Sequence, residues 1–587
     1  MSQYKSMIFV ALIATSAQAS NESRGPEGIN ATGLTLPNNT VLTGAGISIG
    51  QVEVGRPPKT GVDSPANVNP STNPAEVWVQ TTMAGGDTQL SEHAALVADI
   101  MINSTTGVAP DASLYSGAFV TESSAGYIVA LQTIQRIATR PNSAGPRVIN
   151  NSWSKALDTF GSTDGNTLLT LGADWMASNY EVLLVFSANT SDENTPVPGD
   201  NYNGISIDAS TKVGNTYRKL AGFDAVLEEN DAGGERVSVD LLAPGDDVQA
   251  NGQGGDLFNF DGRSAAVPHV TGTVALLQQY GDFQINNVGG VHWDSTNPQR
   301  HEVMKAVLLN SADKIFGVHG SLRTVVSNDA TGNYDWEDSQ AFADDTLSLD
   351  VQLGAGHLNA GRASTQFKTG EWDVGNIPAI GWDHHETGGI GTTLGYTLPE
   401  DVFGYIAVTL VWDRQVTKTG GSDTVYDPSN VFTGALNDLD LFVVPVGWDN
   451  LLEDAVATSA SSEDNVEHIF ADIPEGDYEI VVNHFGGVGT DQDYALAWWT
   501  GPGPITLSGD FDGDGDVDGD DLTDWKTSFG PGGGADADGD GDSDGADFLT
   551  WQRELSPASV VASGAVPEPA AWMLAALGLP LLLRRLA

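Results

Sequence analysis

Between Asp261 and Leu277 a turn of small residues, Asp261-Gly262-Arg263-Ser264, runs into Ala265-Ala266-Val267-Pro268-His269-Val270-Thr271-Gly272 and then the apolar run Val274-Ala275-Leu276-Leu277. Such a turn opening a helix sets the Ser264 hydroxyl at the helix N-terminus, where free N–H groups and the positive end of the dipole favour a developing oxyanion. A serine in that place is also the ordinary helix cap. The rest of the chain separates the two readings. Two further short segments, around Glu53 and His93, also sit where an apolar segment meets a turn, and with Ser264 they supply a carboxylate, an imidazole and a hydroxyl.

Those residue types define a chemistry. Ser264 attacks a carbonyl carbon once a base removes its proton, and an imidazole of near-neutral pKa suits that task. His93 is the candidate base, and afterwards the acid that protonates the leaving amine. A carboxylate on the far ring nitrogen fixes the tautomer and stabilises the imidazolium; Glu53 is the candidate.

The surrounding segments resemble the subtilase family of serine peptidases. Gly46-Ile47-Ser48-Ile49-Gly50-Gln51-Val52-Glu53 looks like its first core strand, and Ser91-Glu92-His93-Ala94-Ala95-Leu96 like its histidine segment. Val148-Ile149-Asn150-Asn151-Ser152-Trp153-Ser154 is similar to the family's substrate-pairing edge strand, and Val182 to Asn189 to the strand that ends in its oxyanion-hole asparagine. Leu242-Ala243-Pro244-Gly245, Lys305 to Ala312 and Gly354-Ala355-Gly356-His357-Leu358-Asn359-Ala360 match later landmarks. The resemblance implies an α/β fold with a mostly parallel sheet flanked by helices over residues 41–366, and an Asn189 amide that donates to the tetrahedral oxyanion, worth about 3 to 4 kcal/mol in comparable sites. It further implies that Ser152, Trp153 and Ser154 bind an extended polypeptide by strand addition.

The pattern is not copied throughout. The family places Asp where Glu53 stands, and one extra methylene shifts the carboxylate relative to His93. Arg263 replaces the usual Thr before the nucleophile, near the oxyanion position, where its charge is available to an oxyanion. Two function classes follow: a working serine endopeptidase, or a subtilase scaffold that binds peptide or matrix while its chemistry has faded. The double change Glu53→Asp with Arg263→Thr is expected to raise activity sharply in a crippled enzyme and to change little in an adapted one.

With 587 residues the length prior is about four domains. The chain has no cysteine, which excludes disulfides and cysteine ligands or nucleophiles and leaves core burial and bound ions to hold the fold. A formal net charge of −53 argues against nucleic acid or anionic membrane as partner. Part of that charge is local, since fourteen Asp lie between 510 and 547.

That acidic stretch is a repeat. Asp510, Asp512, Asp514, Asp516, Asp518 and Asp521 recur twenty-six residues later as Asp536, Asp538, Asp540, Asp542, Asp544 and Asp547. Carboxylates at loop positions 1, 3, 5, 9 and 12, with Gly at 6 and a backbone carbonyl at 7, fit an oxygen-ligand calcium loop. One amphipathic stretch follows each loop, Leu522 to Phe529 and Phe548 to Leu555, and residues 506–556 resemble a type I dockerin. Ser543 stands where position 8 is usually apolar, which is expected to weaken the second loop's packing. A cohesin-like partner is one use of such loops; a calcium-stiffened spacer is another.

Between these parts, residues 367–501 carry strand-like runs at Tyr405 to Trp412, Asp438 to Val444 and Tyr478 to Val482, which predict a β-sandwich. Asn437-Asp438-Leu439-Asp440-Leu441 resembles the jelly-roll domain that follows the peptidase in some bacterial alkaline subtilases. Calcium at its acidic loops and plain solvated turns are both open. At the N-terminus, Lys5, the apolar stretch Met7 to Ala14 and Ala17-Gln18-Ala19 read as a secretory signal over residues 1–19, leaving no room for a long folding propeptide. At the C-terminus a linker, 557–565, leads to Val566-Pro567-Glu568-Pro569, an apolar stretch from Ala570 to Leu583, and Arg584-Arg585. Residues 566–587 resemble a PEP-CTERM sorting signal, whose apolar part is short for a permanent span. The resemblance implies transient membrane association, an exosortase-type processing partner and a surface or matrix destination in a Gram-negative-type bacterium; a simple C-terminal anchor is the rival reading.

Overall fold

The computed structural model describes residues 23–26, 28–79, 90–119, 125–140, 145–154, 165–188, 197–213, 216–220, 237–289, 292–314, 325–326, 336–400, 402–420, 430–501, 511, 519–531, 535 and 542–554. Asn189, both terminal signals, and Asp510, Asp512, Asp514, Asp516, Asp518, Asp536, Asp538 and Asp540 lie outside them.

Parallel strands make the frame. β1 (Ser48–Val54), β2 (Glu76–Val79), β3 (Ser113–Phe119), β4 (Val148–Asn151), β5 (Leu183–Ser187), β6 (Ile205–Val213) and β8 (Leu241–Pro244) pair in parallel in the order β2-β3-β1-β4-β5-β6-β8. β7 (Thr216–Lys219) joins β6 antiparallel. β5 and β8 read as near-continuous apolar runs because helices cover both faces. α1 (Glu92–Ile102) and α4 (Arg263–Asn287) pack on one face, where Val97, Met101, Val270 and Val274 meet Ile49, Val185 and Ile207. α2 (Ala125–Ala138) and α3 (Leu168–Tyr180) cover the other with Ile134, Leu131 and Met176. From β1 the chain crosses to β3 on one side and then to β4 on the other, so the sheet's switch point lies between β1 and β4. Open α/β sheets carry their sites at the carboxyl ends of strands at such a point.

Residues Ile29, Leu36 and Leu42 are buried in the same core, so the segment before β1 is part of the folded domain. α5 (His301–Asn310) and α6 (Ala360–Phe367) follow, and on them rest two sheets of mainly antiparallel strands. One has the order β12-β14-β21-β18-β19, the other β13-β22-β15-β20. Here β12 is Gly375–Asn376, β13 Ile380–Thr387, β14 Thr393–Thr397, β15 Val402–Trp412, β18 Asp438–Pro445, β19 Ala457–Ser459, β20 Val466–Gly476, β21 Tyr478–Gly486 and β22 Gln492–Gly501. Tyr396, Trp412, Leu441, Ile480 and Trp498 close the core between them, as alternating strands of a sandwich require. The outer face of β13, β15 and β22 contributes Trp382, Val411, Ala495 and Ala497 to the peptidase core itself, so the two share one continuous apolar cluster. The hairpin β16 (Gln415–Thr419) and β17 (Val431–Ala435) sends Phe432 into the cluster beneath α3.

A separate unit begins at Pro504. It contains α7 (Gly519–Ser528) and α8 (Gly545–Glu554), each starting at position 10 of an acidic loop. Trp525 packs edge-on against Phe529 and at a tilt against Phe548, and its indole N–H donates to the Asp544 carbonyl at 2.9 Å, tying the first helix to the second loop. Ser543 is fully buried, and its hydroxyl accepts the Ala535 N–H at 3.0 Å. The position expected to weaken packing is therefore filled by a satisfied polar group.

Candidate active site

Glu53 is the penultimate residue of β1 and is fully buried. Its Oε1 accepts the Ser152 N–H at 3.0 Å and the Asn150 side-chain amide at 3.4 Å. Its Oε2 faces His93 Nδ1 at 3.4 Å, the limit of hydrogen-bond range. His93 occupies the first turn of α1, whose N-cap Ser91 accepts the Ala94 N–H through Oγ. The imidazole is 39 % exposed on a carboxylate that is 1 % exposed. Phe260 meets the ring edge-on with centroids 5.5 Å apart. Burial disfavours the imidazolium, yet the hydrogen bonding and charge of Glu53 outweigh it and hold the His93 pKa above its ordinary value.

Ser264 is the second residue of α4. The turn before it needs Gly262, whose φ of 102° strains any residue with a Cβ. Pro268 stands four residues after Ser264 and lacks the N–H that would bond the Ser264 carbonyl. Ser152 replaces it, donating through Oγ to Ser264 O at 3.2 Å, while Ser264 Oγ donates to the Ser152 carbonyl at 3.2 Å. No hydrogen bond joins Ser264 to His93 among the described residues; such contacts are often long before substrate binds. The histidine five residues after the nucleophile is no rival base. His269 is buried between the Ala265 carbonyl and Ser23 Oγ, and burial pulls its pKa down to about 4.

Ser152 is thus the hub of the site. Its N–H holds Glu53, its Oγ holds the Ser264 backbone and receives the Asn150 amide at 2.9 Å, and its carbonyl takes the Ser264 hydroxyl. This corrects the edge-strand expectation. β4 lies between β1 and β5, paired on both sides, and Ser152 and Trp153 are buried. Trp153 packs edge-on against Phe119 at 4.9 Å and Phe186 at 6.1 Å. Only Ser154 emerges to solvent where the segment leaves the sheet.

Arg263 also departs from expectation. Its side chain is buried and its Nε donates to Asp208 Oδ1 of β6 at 2.6 Å, while Lys219 Nζ of β7 lies 3.3 Å from Asp208 Oδ2. Burial opposes the Asp208 charge, but Arg263 and Lys219 hold its pKa below the usual carboxylate value. The guanidinium is directed to a buried carboxylate in the sheet rather than offered to an oxyanion. Nothing within the 261–264 motif points to Asp208, fifty-five residues earlier.

In the second unit, Asp521 and Asp547, at position 12 of the two loops, are buried; Asp521 accepts the Phe511 N–H at 2.7 Å and Asp547 the Asp544 N–H at 2.6 Å. Buried carboxylates closing a loop this way are the donor set a hard cation takes. Asp544 is exposed on its loop, and Asp542 lies in the short strand before α8.

The subtilase family model matches residues 44–340. Over 284 residues the chain is 23 % identical to alkaline elastase YaB of Bacillus sp. (strain YaB), a match covering 47 % of this chain and 67 % of that protein. It is 26 % identical to subtilisin Savinase of Lederbergia lenta over 270 residues, 45 % of this chain and 88 % of that one. The crystal structure of fervidolysin from Fervidobacterium pennivorans aligns with a TM-score of 0.40 at 17 % identity, covering 78 % of this chain and 62 % of that chain. Among the described residues no helix is long and apolar enough to cross a membrane.

Proposed function

The chain belongs to the subtilase family, and from that premise we propose that it is a serine endopeptidase working through Ser264, His93 and Glu53. The observation that carries this reading is the buried Glu53 carboxylate 3.4 Å from the partly exposed His93 ring, at the switch point where α4 presents Ser264. In the reaction Ser264 Oγ exchanges its bond to the Ser152 carbonyl for one to His93 Nε2, gives up its proton there and attacks the scissile carbonyl carbon. Glu53 stabilises the resulting imidazolium through Nδ1. His93 returns the proton to the leaving amine, and a water activated by the same ring releases the acyl group from Ser264. The first-turn N–H groups of α4 and the Asn189 amide receive the oxyanion. The polypeptide lies along the segment leaving β4, with Ser154 the exposed point at which backbone pairing begins, Trp153 part of the wall beneath, and Ser152 a positioning residue.

The same proposal covers the flanks. Residues 1–19 direct export, and residues 566–587 hold the chain briefly at a membrane for an exosortase-type enzyme. The paired acidic loops take Ca2+ through the carboxylates named above, with Asp521 and Asp547 closing them; a cohesin-like protein is the kind of partner they fit. The resting bond from Ser264 to Ser152 favours one second reading, a peptide-binding scaffold whose nucleophile is never released. Cleavage of an unfolded polypeptide such as reduced, alkylated casein separates the two. Peptide products that vanish in Ser264→Ala support the endopeptidase, and a folded wild-type chain that binds casein without cutting it establishes the scaffold.

A further inference from the structure

A cluster of ionisable groups lies away from the triad, where α3 ends, α5 begins and the turn after β15 reaches across from the sandwich. His301 is 2 % exposed, and its Nε2 lies 3.0 Å from Asp413 Oδ1. A carboxylate on one ring nitrogen fixes the tautomer with the proton on that side. The other nitrogen, Nδ1, is hydrogen-bonded to Glu181 Oε1 at 2.6 Å and lies 3.2 Å from Glu302 Oε2. Two carboxylates converge on one ring nitrogen. A proton on Nδ1 can serve only one of the two carboxylates, and Glu302 Oε2, on a residue only 5 % exposed, has no hydrogen-bond donor.

Charge counts the same way. Glu181, Glu302 and Asp413 bring three negative charges, and Arg300, whose Nη1 lies 2.6 Å from Glu181 Oε2, brings one positive. Even with an imidazolium bonded to Glu181 and Asp413 through its two nitrogens, one negative charge stays uncompensated in a site where Glu302 and His301 are buried, and buried charges are kept only when paired or bound to metal. Asp493 on β22 is exposed to solvent, where its charge is screened. The backbone adds a third sign. Glu181 caps α3 in the left-handed region, φ 52° and ψ 59°, a place that glycine or asparagine normally takes.

We propose that Glu181, His301 and Glu302 form a divalent-cation site of the zinc class, with Nδ1 of the imidazole and one oxygen from each carboxylate as ligands and Asp413 as the group that orients the ring. One nitrogen and two carboxylate oxygens suit zinc better than calcium, which takes six to eight oxygens. Ligands about 2.0 to 2.1 Å from one ion stand roughly 3.3 Å apart in a tetrahedron, so the 3.2 Å pair is already in place and the 2.6 Å pair opens by under an ångström. Glu181 is 34 % exposed, which gives the ion a path from solvent and water a place at the fourth position. Because its orienting carboxylate comes from the sandwich, the ion clips that domain to the ends of α3 and α5.

The test uses the untagged full-length chain, stripped with chelator, returned to excess Ca2+ to occupy the acidic loops, and then titrated with Zn2+. Zinc retained after gel filtration is counted by mass spectrometry, and thermal unfolding is followed with and without it. One equivalent of zinc and a higher Tm are expected. Both fall at least tenfold in affinity in Glu302→Gln, which keeps side-chain size, and vanish in His301→Gln. Asp373→Asn, in the separate Asp373, Asp383 and His385 cluster, retains the zinc. If the wild type holds no more zinc than Glu302→Gln, or if the zinc follows Asp373, the proposal is overturned. Should His301→Gln not fold, Glu302→Gln alone decides.

Discussion

Shortening Glu53 to Asp restores the residue the family normally places in the triad, and the geometry predicts that it lowers activity. The Glu53 carboxylate spans two fixed partners, the Ser152 N–H at 3.0 Å from Oε1 and His93 Nδ1 at 3.4 Å from Oε2. Removing a methylene retracts it by about 1.5 Å, the length of one C–C bond. β1 cannot advance to compensate, since Val52 and Val54 pair in register with Gly117 and Phe119. The shorter carboxylate keeps either the Ser152 bond or the His93 contact. A misplacement of about 1 Å costs on the order of a hundredfold in rate, or about 2.7 kcal/mol of transition-state stabilisation. The assay is kcat/KM on a fluorogenic peptide across pH 5 to 9, with thermal unfolding as a check on folding. In the wild type the acid limb lies above the ordinary histidine value, because Glu53 raises the His93 pKa. In Glu53→Asp the limb moves down while the plateau falls about a hundredfold. Unchanged or increased kcat/KM would refute the idea that this strand is built around a glutamate.

Replacing Arg263 by Thr leaves Asp208 buried beside Lys219 alone of the two cations, and breaking a buried pair typically costs about 3–5 kcal/mol, so a loss of about 3 kcal/mol is expected in urea unfolding; under about 1 kcal/mol would contradict the buried-pair account. The same cost disqualifies the combined Glu53→Asp and Arg263→Thr change as a reporter of catalytic adaptation. Burial raises the Asp383 pKa to about 8, with the hydrogen bond from Tyr396 opposing and the charges of Glu371 and Asp373 adding to it. Between pH 4 and 8 the folded carboxyl keeps a proton that the unfolded chain has released, so its contribution to stability falls with rising pH by up to about 1.4 kcal/mol per unit. Asp383→Asn should flatten the stability profile over that window, and an identical profile would count against it. Chelating calcium should shift the tryptophan emission through Trp525, which bridges α7 to the second loop, and that component should be missing in Trp525→Phe.

The parts of the site legible in the sequence are those written locally. Ser264 is marked by a turn opening a helix, His93 by a helix start and Glu53 by the end of an apolar strand, and each pattern occupies about ten residues. Three strands of the sandwich, β15, β18 and β21, are legible for the same reason, as strand-like runs between turn residues, while β13, β14, β20 and β22 are not. What the sequence conceals is pairing across long separations. Ser152 serves Glu53 ninety-nine residues earlier and Ser264 one hundred and twelve residues later. Asp208 answers Arg263, and Asp413 reaches His301 from the turn after β15, one hundred and twelve residues later. A single buried polar residue carries no periodicity by which to find its partner. That β4 is interior and not an edge is hidden for a related reason: a short strand's neighbours are set by the order of crossovers, and its own four residues do not encode that order.

The central claim is that Ser264 is an activated nucleophile. The direct measurement is reaction of the purified chain, in calcium, with a fluorophosphonate probe, followed by peptide mapping of the adduct. Labelling of Ser264 that disappears in Ser264→Ala and slows sharply in His93→Ala is the predicted result. A folded chain that takes up no label at Ser264 would contradict it.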